Sequence, residues 1–346
     1  MTDAAGSPPT RRRALAPVLL ALLTAGCAIA AVAAHALFVA PAGRGGVPVA
    51  VRIAAGSDLR QIARALADAG AVRSAGAFVL AARLAGLERS LRPGDYRLDP
   101  RMSLPALVRS LVDGRGRTAD VTIPEGWRLE QVAERLAAAG VCGRDAFLAQ
   151  ARDPALLAAL GIPGPSAEGF LFPETYSFAL PSAPADVIRA MYRQFARVWA
   201  ELTQGAPPPP LAPLQAVTLA SIVERETAAA AERPLVAAVY LNRLRLGMPL
   251  QADPTVIYGI DGFDGDLRRR DLAAANPYNT YVVRGLPPGP IAAPGRAALS
   301  AVLHPAPVDY LYFVARNDGT HQFSRTLVEH NRAVQRFQLS RGRGRG

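Results

Sequence analysis

The sequence predicts an α+β protein in three parts: a single N-terminal transmembrane helix, a small βααβ module, and a mixed α/β domain in which a helix carries an isolated carboxylate. Three observations predict it. Residues 14–40 form an unbroken apolar run, residues 51–72 and 121–142 repeat one another, and residues 211–337 alternate helix-periodic segments with short apolar runs and Gly/Pro-rich loops.

The apolar run, ALAPVLLALLTAGCAIAAVAAHALFVA, contains no acidic or basic residue apart from the weakly basic His35. It is 27 residues long, where about 20 suffice to span a bilayer. Arg11, Arg12 and Arg13 precede it, and the bias of basic residues toward the inner side puts residues 1–13 in the cytoplasm. The bulk of the chain then lies outside, in the periplasm of a two-membrane bacterium. A cleaved signal peptide is the rival reading, because Leu23-Thr24-Ala25-Gly26-Cys27 loosely resembles a lipoprotein cleavage site. The run continues well past Cys27, however, and a secretory apolar core is only about 7–15 residues.

VRIAAGSDLRQIARALADAGAV (51–72) aligns with VTIPEGWRLEQVAERLAAAGVC (121–142) at a constant offset, with Val51/Val121, Ile53/Ile123, Gly56/Gly126, Leu59/Leu129, Gln61/Gln131 and Leu66/Leu136 in register. Each copy reads as a short strand, a glycine turn and an amphipathic helix. The first copy continues into a second helix (75–86) and a turn with a strand (92–99), making a strand–helix–helix–strand module of residues 41–118. DGRGRTA (113–119) reads as a linker. The second copy, within 119–165, reads as a connector that docks through Phe147 and its AFLAQA helix.

Residues 166–338 form the third part. LAPLQAVTLASIVERETA (211–228) reads as a helix, with Pro213 in the first turn, where its missing N–H costs nothing. Glu224 lies on the face of Val217, Ala220, Ser221 and Thr227, all small. No basic residue stands three or four positions away, so no helical ion pair explains it. Desolvation in such a surround raises a carboxyl pKa, as a general acid at neutral pH requires. Glu226, two residues on, points elsewhere. Residues 234–250 read as a helix closed by Gly247, QADPTVIYG (251–259) as a polar turn leading into a short strand, and 275–295 as an extended loop. A short helix over RAALSAVLHP, a strand over 309–315, and a turn with a final helix over 319–337 complete the domain. GAPPPPLAP (205–213) reads as an internal proline loop, and the RGRGRG tail within 339–346 as disordered. Asn, Gln, Tyr and Asp on loops suit sugar hydroxyls, which need neutral hydrogen bonds and ring faces.

The formal net charge is +11, and every one of the 39 basic residues is Arg. The arginines are scattered and no nucleic-acid-binding motif appears, so no nucleic acid partner is expected. Cys27 and Cys142 lie in different parts of the chain, so no intramolecular disulfide is expected. The four histidines, at 35, 304, 321 and 330, form no ligand pattern, so neither metal nor other cofactor is expected.

The motifs EGFLFPETYSF (168–178), ASIVERET (220–227), VYLNRLRLGMPLQADPTVIYG (239–259), YNTYVVRGLPPGPIAAPG (278–295) and HPAPVDYLYFVARNDGTHQF (304–323), in this order, resemble the YceG-like family of endolytic murein transglycosylases. The resemblance covers about residues 10–337. It implies a single-pass inner-membrane protein whose periplasmic part cleaves peptidoglycan glycan strands, with Glu224 as the catalytic Glu and Arg225 where the family often has Lys. It implies that the 41–118 module is LysM-like and binds glycan; a structural spacer is the alternative. It also implies a role in ending nascent strands and association with peptidoglycan synthases.

Under this reading protonated Glu224 protonates the leaving glycosidic oxygen, and the MurNAc C6 hydroxyl closes on C1 to give 1,6-anhydroMurNAc. Gln251, Asp253, Tyr258, Asn279 and Tyr281 are the candidate substrate contacts. Glu168 and Glu174 are weaker candidates for the chemistry, the first as a support for the FLFPETY segment. Two alternatives stand: a muramidase-type hydrolase pairing Glu224 with Asp253, and a non-catalytic glycan-binding wall scaffold.

Overall fold

A computed structural model describes residues 12–204 and 211–339, the side chains of 12–19 and 36 excepted. The extreme N-terminus, most of the proline loop and the basic tail therefore lie outside the described residues. The chain divides into two compact units, Met1–Ala119 and Asp120–Gly346.

In the first unit, helix α1 (Arg12–Phe38) exposes the apolar side chains of Leu20, Leu22, Leu23, Ile29 and Val32. Among the described residues no helix is long and apolar enough to cross a membrane, so the span expected over 14–40 is not supported there. After it come β1 (Val49–Ile53), α2 (Leu59–Asp68), α3 (Ala75–Leu84) and β2 (Gly94–Leu98). The strands pair antiparallel, with Val51 opposite Tyr96 and Val49 opposite Leu98. Alternation turns Val51, Ile53, Tyr96 and Leu98 inward, against Ile62 and Leu66 of α2 and Phe78 of α3. Each such side chain contributes roughly 1.5–3 kcal/mol by leaving water. Helix α4 (Leu104–Asp113) closes this core with Leu107 and Leu111. The predicted linker is shorter than expected, because Arg117–Thr122 form strand β3, whose start pairs antiparallel with β2.

The repeat is structural in both copies. In the second unit α5 (Leu129–Ala138) stands where α2 stands in the first. Gly56 and Gly126 take φ of 79° and 74°, which a side chain would resist, and so turn the chain from strand to helix. The repeated glutamine has a physical task as well: Gln61 and Gln131 each accept the N–H of the residue that opens their helix, Asp58 and Arg128.

The second unit continues with α6 (Arg144–Gln150), α7 (Pro154–Leu160), β4 (Thr175–Ala179) and α8 (Pro184–Thr203). Phe147 on α6 is fully buried within this unit, so the second repeat copy belongs to the same compact body as the region that follows. At its centre lies α9 (Pro213–Glu226), buried continuously from Ala216 to Val223. Around α9 pack α10 (Arg233–Arg245), α11 (Asp253–Tyr258) and α13 (Arg296–Leu303). A small helix, α12 (Arg269–Leu272), precedes the loop that reaches α13. The hairpin β5 (Tyr312–Ala315) and β6 (His321–Ser324) and helix α14 (Leu327–Val334) complete the unit.

Two local expectations need correction. Residues 253–258 are a helix rather than a strand: Pro254 fits its first turn, and Thr255 hydrogen-bonds back to the Ala252 carbonyl. Residues 321–324, expected within a turn, are a strand, because the apolar edge of β5 supplies a partner that local sequence cannot reveal.

Candidate active site

Glu224 stands in the last turn of α9, and its side chain is only 5% exposed. Val217, Ala220, Ser221 and Thr227, on the same face, are all buried, as the helical spacing requires. One carboxylate oxygen, Oε1, accepts from Arg233 Nη2 at 2.7 Å; the other, Oε2, accepts from the Gly295 N–H at 2.9 Å. Burial pushes the Glu224 pKa up. The Gly295 N–H and the Arg233 guanidinium pull it back down, while the Glu125 carboxylate adds to the rise. A group held this way can release a proton and then hold the resulting charge.

Three segments bring these groups together. Helix α10 starts at Arg233, nine residues beyond Glu224, after the short turn that follows Thr227. The ion pair is therefore tertiary, and helical spacing could not have exposed it. The loop 275–295 is pinned to α9 one turn earlier, where the Ile291 N–H donates to Ser221 Oγ at 3.0 Å. Its end reaches Glu224 through Gly295, which opens α13, so the positive end of that helix also faces the carboxylate. The third segment is the glycine turn of the second repeat copy. Gly126 N–H donates to the Ala293 carbonyl and Ala293 N–H donates to the Trp127 carbonyl, each at 2.8 Å. Arg225 faces outward and donates to the Gly126 carbonyl at 3.3 Å. This turn places Glu125, half exposed, with Oε2 3.8 Å from Arg233 Nη2.

The sequence reading overlooked Arg233, Glu125 and Gly295. A signal for Glu125 was present, since Ala55 and Glu125 occupy the same place in the repeat and only the second copy carries charge.

Glu226 points away from Glu224 into a second polar cluster. Its pKa is pushed up to about 7 by burial, against the Tyr240 hydroxyl, which lowers it; the charge of Asp253 adds to the rise. Asp253 itself is exposed at the start of α11 and accepts the Tyr281 hydroxyl at 2.6 Å. Asp253 is thus a neighbour of Glu226 and Tyr281, whereas the second carboxylate beside Glu224 is Glu125.

The other candidates fall in distinct places. Gln251 is exposed with φ of 53°, and its N–H donates to the Thr280 carbonyl. Tyr258 is half buried, 3.4 Å from Glu168 Oε2, with the Arg128 guanidinium 4.9 Å from its ring centre and the Tyr278 ring 4.7 Å away. Asn279 is buried, and its amide donates to the carbonyls of Asp271, Leu272 and Ala274. These bonds fold the loop and leave the amide nothing to offer a ligand. Glu168, also buried, accepts the Leu129 N–H at 3.0 Å and so satisfies the start of α5. Burial drives its pKa up to about 7. Asn242 and Arg243, in the LNR stretch, bind the carbonyls of Val308, Tyr310, Leu311 and Leu250, and thereby tie β5 and the 249–251 turn to α10.

The chain matches the YceG-like family over residues 51–336. It is 32% identical over 309 residues to the endolytic murein transglycosylase of Bacillus subtilis, covering 85% of this chain and 86% of that protein. It is 29% identical over 322 residues to the protein of the same name from Streptococcus pneumoniae, covering 83% of this chain and 58% of that longer protein. A crystal structure of a YceG-like protein from Listeria monocytogenes aligns with a TM-score of 0.55 at 31% identity, covering 84% of this chain and all of that one.

Proposed function

The chain belongs to the YceG-like family, and we infer that it is a lytic transglycosylase that cleaves the glycan strands of peptidoglycan with Glu224 as its acid. The observation that carries the assignment of Glu224 is its combination of burial, a raised pKa and two fixed donors at the C-terminal end of α9.

In the reaction, protonated Glu224 gives its proton to the oxygen linking MurNAc C1 to GlcNAc. The C1–O bond breaks, its electron pair leaves with that oxygen, and an oxocarbenium-like centre develops at C1. The MurNAc C6 hydroxyl attacks C1, and its proton returns to the Glu224 carboxylate. Atoms balance without water, and the product end is 1,6-anhydroMurNAc. The nucleophile belongs to the substrate and is already held near C1, so most of the entropy cost of bringing the reactants together has been met. Arg233 and the start of α13 hold the Glu224 carboxylate while it is charged.

Tyr258 with Tyr278, together with Gln251, Asp253 and Tyr281, offers ring faces and hydrogen-bonding groups for the glycan. The apolar run of residues 14–40 and the arginines before it, features of the sequence and not of a described spanning helix, are what motivate a single-pass membrane anchor, with the rest of the chain on the periplasmic side, near the site of glycan synthesis and its synthases. The antiparallel β1–α2–α3–β2 arrangement supports the LysM-like reading of the first unit, with glycan binding as its role.

Glu224→Gln keeps the size and shape of the side chain and removes the titrating proton, but its single acceptor oxygen can serve only one of the two donors, Arg233 or the Gly295 N–H. It is expected to abolish cleavage of purified peptidoglycan while the variant still folds. Near-normal turnover by that variant would remove Glu224 from the role.

A further inference from the structure

Glu125 has no role in the scheme above, yet among the described residues it is the carboxylate that shares the Arg233 guanidinium with Glu224. The turn carrying it is fixed on both sides, by the paired hydrogen bonds between Gly126–Trp127 and Ala293 and by the Arg225 bond to the Gly126 carbonyl. Its carboxyl group lies directly over Gly295. A Cβ at that position would fall 1.9 Å from Glu125 Oε1, so only glycine leaves room for it. Gly295 is also the residue whose N–H holds Glu224. Both carboxylates converge on Arg233 Nη2, at 2.7 Å and 3.8 Å, but Glu224 is buried while Glu125 is 48% exposed. Glu125 therefore forms the solvent-facing rim of the same site, where a glycan strand would lie.

We propose that Glu125 is a second catalytic carboxylate, whose negative charge faces the positive centre that develops at MurNAc C1 while Glu224 handles the proton. The role rests on the transglycosylase reading, and it is electrostatic: no bond to Glu125 forms and no proton passes to it. Sharing one guanidinium nitrogen holds Glu224 Oε1 and Glu125 Oε2 no farther apart than the lower end of the ~6.5–9.5 Å that separates the carboxyl groups of an inverting hydrolase. The site thus offers a fixed negative charge close to the acid, beside a nucleophile that the sugar itself carries.

The test is the full-length protein and its Glu125→Gln variant on purified peptidoglycan, with kcat, KM and their pH dependence measured. Gln fills the same space without charge. The expected result is a fall in kcat of roughly tenfold or more with little change in KM and unchanged thermal stability. Loss of a neighbouring negative charge also favours ionised Glu224, so the alkaline limb of the pH profile moves to lower pH. Gly295→Ala, which displaces the Glu125 carboxylate while leaving it in the protein, is expected to lower kcat as well. A Glu125→Gln variant with wild-type kcat and an unmoved pH profile overturns the proposal. So does one whose only change is lower stability, the mark of a structural brace. The chemistry of the wild-type product ends tests the transglycosylase reading separately, and the ratio of variant to wild-type rate tests Glu125 whichever end is found.

Discussion

Glu168→Gln should stabilise the protein at alkaline pH and leave it unchanged at acid pH. Glu168 is buried, and its pKa rises from 4.5 to about 7 on folding. Burial is the main cause; the Leu129 N–H and the Tyr258 hydroxyl oppose it. Because the folded pKa is raised, the stabilising contribution of this group is fully present below the unfolded value of 4.5 and is lost as pH climbs through about 7. Each pKa unit corresponds to about 1.4 kcal/mol, so ionised Glu168 costs the fold about 3 kcal/mol at pH 8 relative to its neutral form. Gln retains a carbonyl oxygen for the Leu129 N–H but cannot ionise, so it escapes that cost. Urea unfolding of wild type and variant at about pH 4 and pH 8 measures the difference, and other titrating groups cancel between the two proteins. The variant is expected to be more stable by about 3 kcal/mol at pH 8 and matched at pH 4. A stability difference that is the same at both pH values would refute it. Glu168→Ala serves as a control: it cannot ionise either but strands the Leu129 N–H, so it should be less stable than Glu168→Gln by about 1–3 kcal/mol at every pH.

Other consequences follow from the same geometry. Arg233→Met removes the positive charge beside Glu224, so the Glu224 pKa should rise further and the alkaline limb of kcat against pH should move upward, opposite in sign to the shift from Glu125→Gln. Asn279→Ala breaks the bonds that fold the 271–279 loop and should lower stability by about 1–3 kcal/mol, read by thermal unfolding. Tyr281→Phe frees the exposed Asp253 from its hydroxyl partner; if Tyr281 touches glycan, KM should rise while kcat changes little.

Much of the fold was legible because its signals are local. The apolar run, the two repeat copies and the helices at 213–226, 233–245 and 296–303 all follow from periodicity and from Pro and Gly at their ends. Glu224 stood out for the same reason, a carboxylate on a face whose other residues are small. What the sequence hid was tertiary. Arg233 reaches Glu224 only because a turn folds α10 back on α9, and Glu125 arrives from a repeat copy nearly a hundred residues away. The strand at 321–324 depends on its partner, and the helix at 253–258 is so short that its apolar residues fit either period. The same limit made Asn279 look like a ligand contact: a polar residue on a loop reads identically whether it faces substrate or closes the loop on itself.

The most direct test of the central claim is the mass of the glycan ends released from purified peptidoglycan by the wild-type protein. Ends lighter by one water than reducing MurNAc are expected, because the C6 hydroxyl of the sugar takes the place of water at C1. Ordinary reducing MurNAc ends would contradict the account and make the protein a hydrolase.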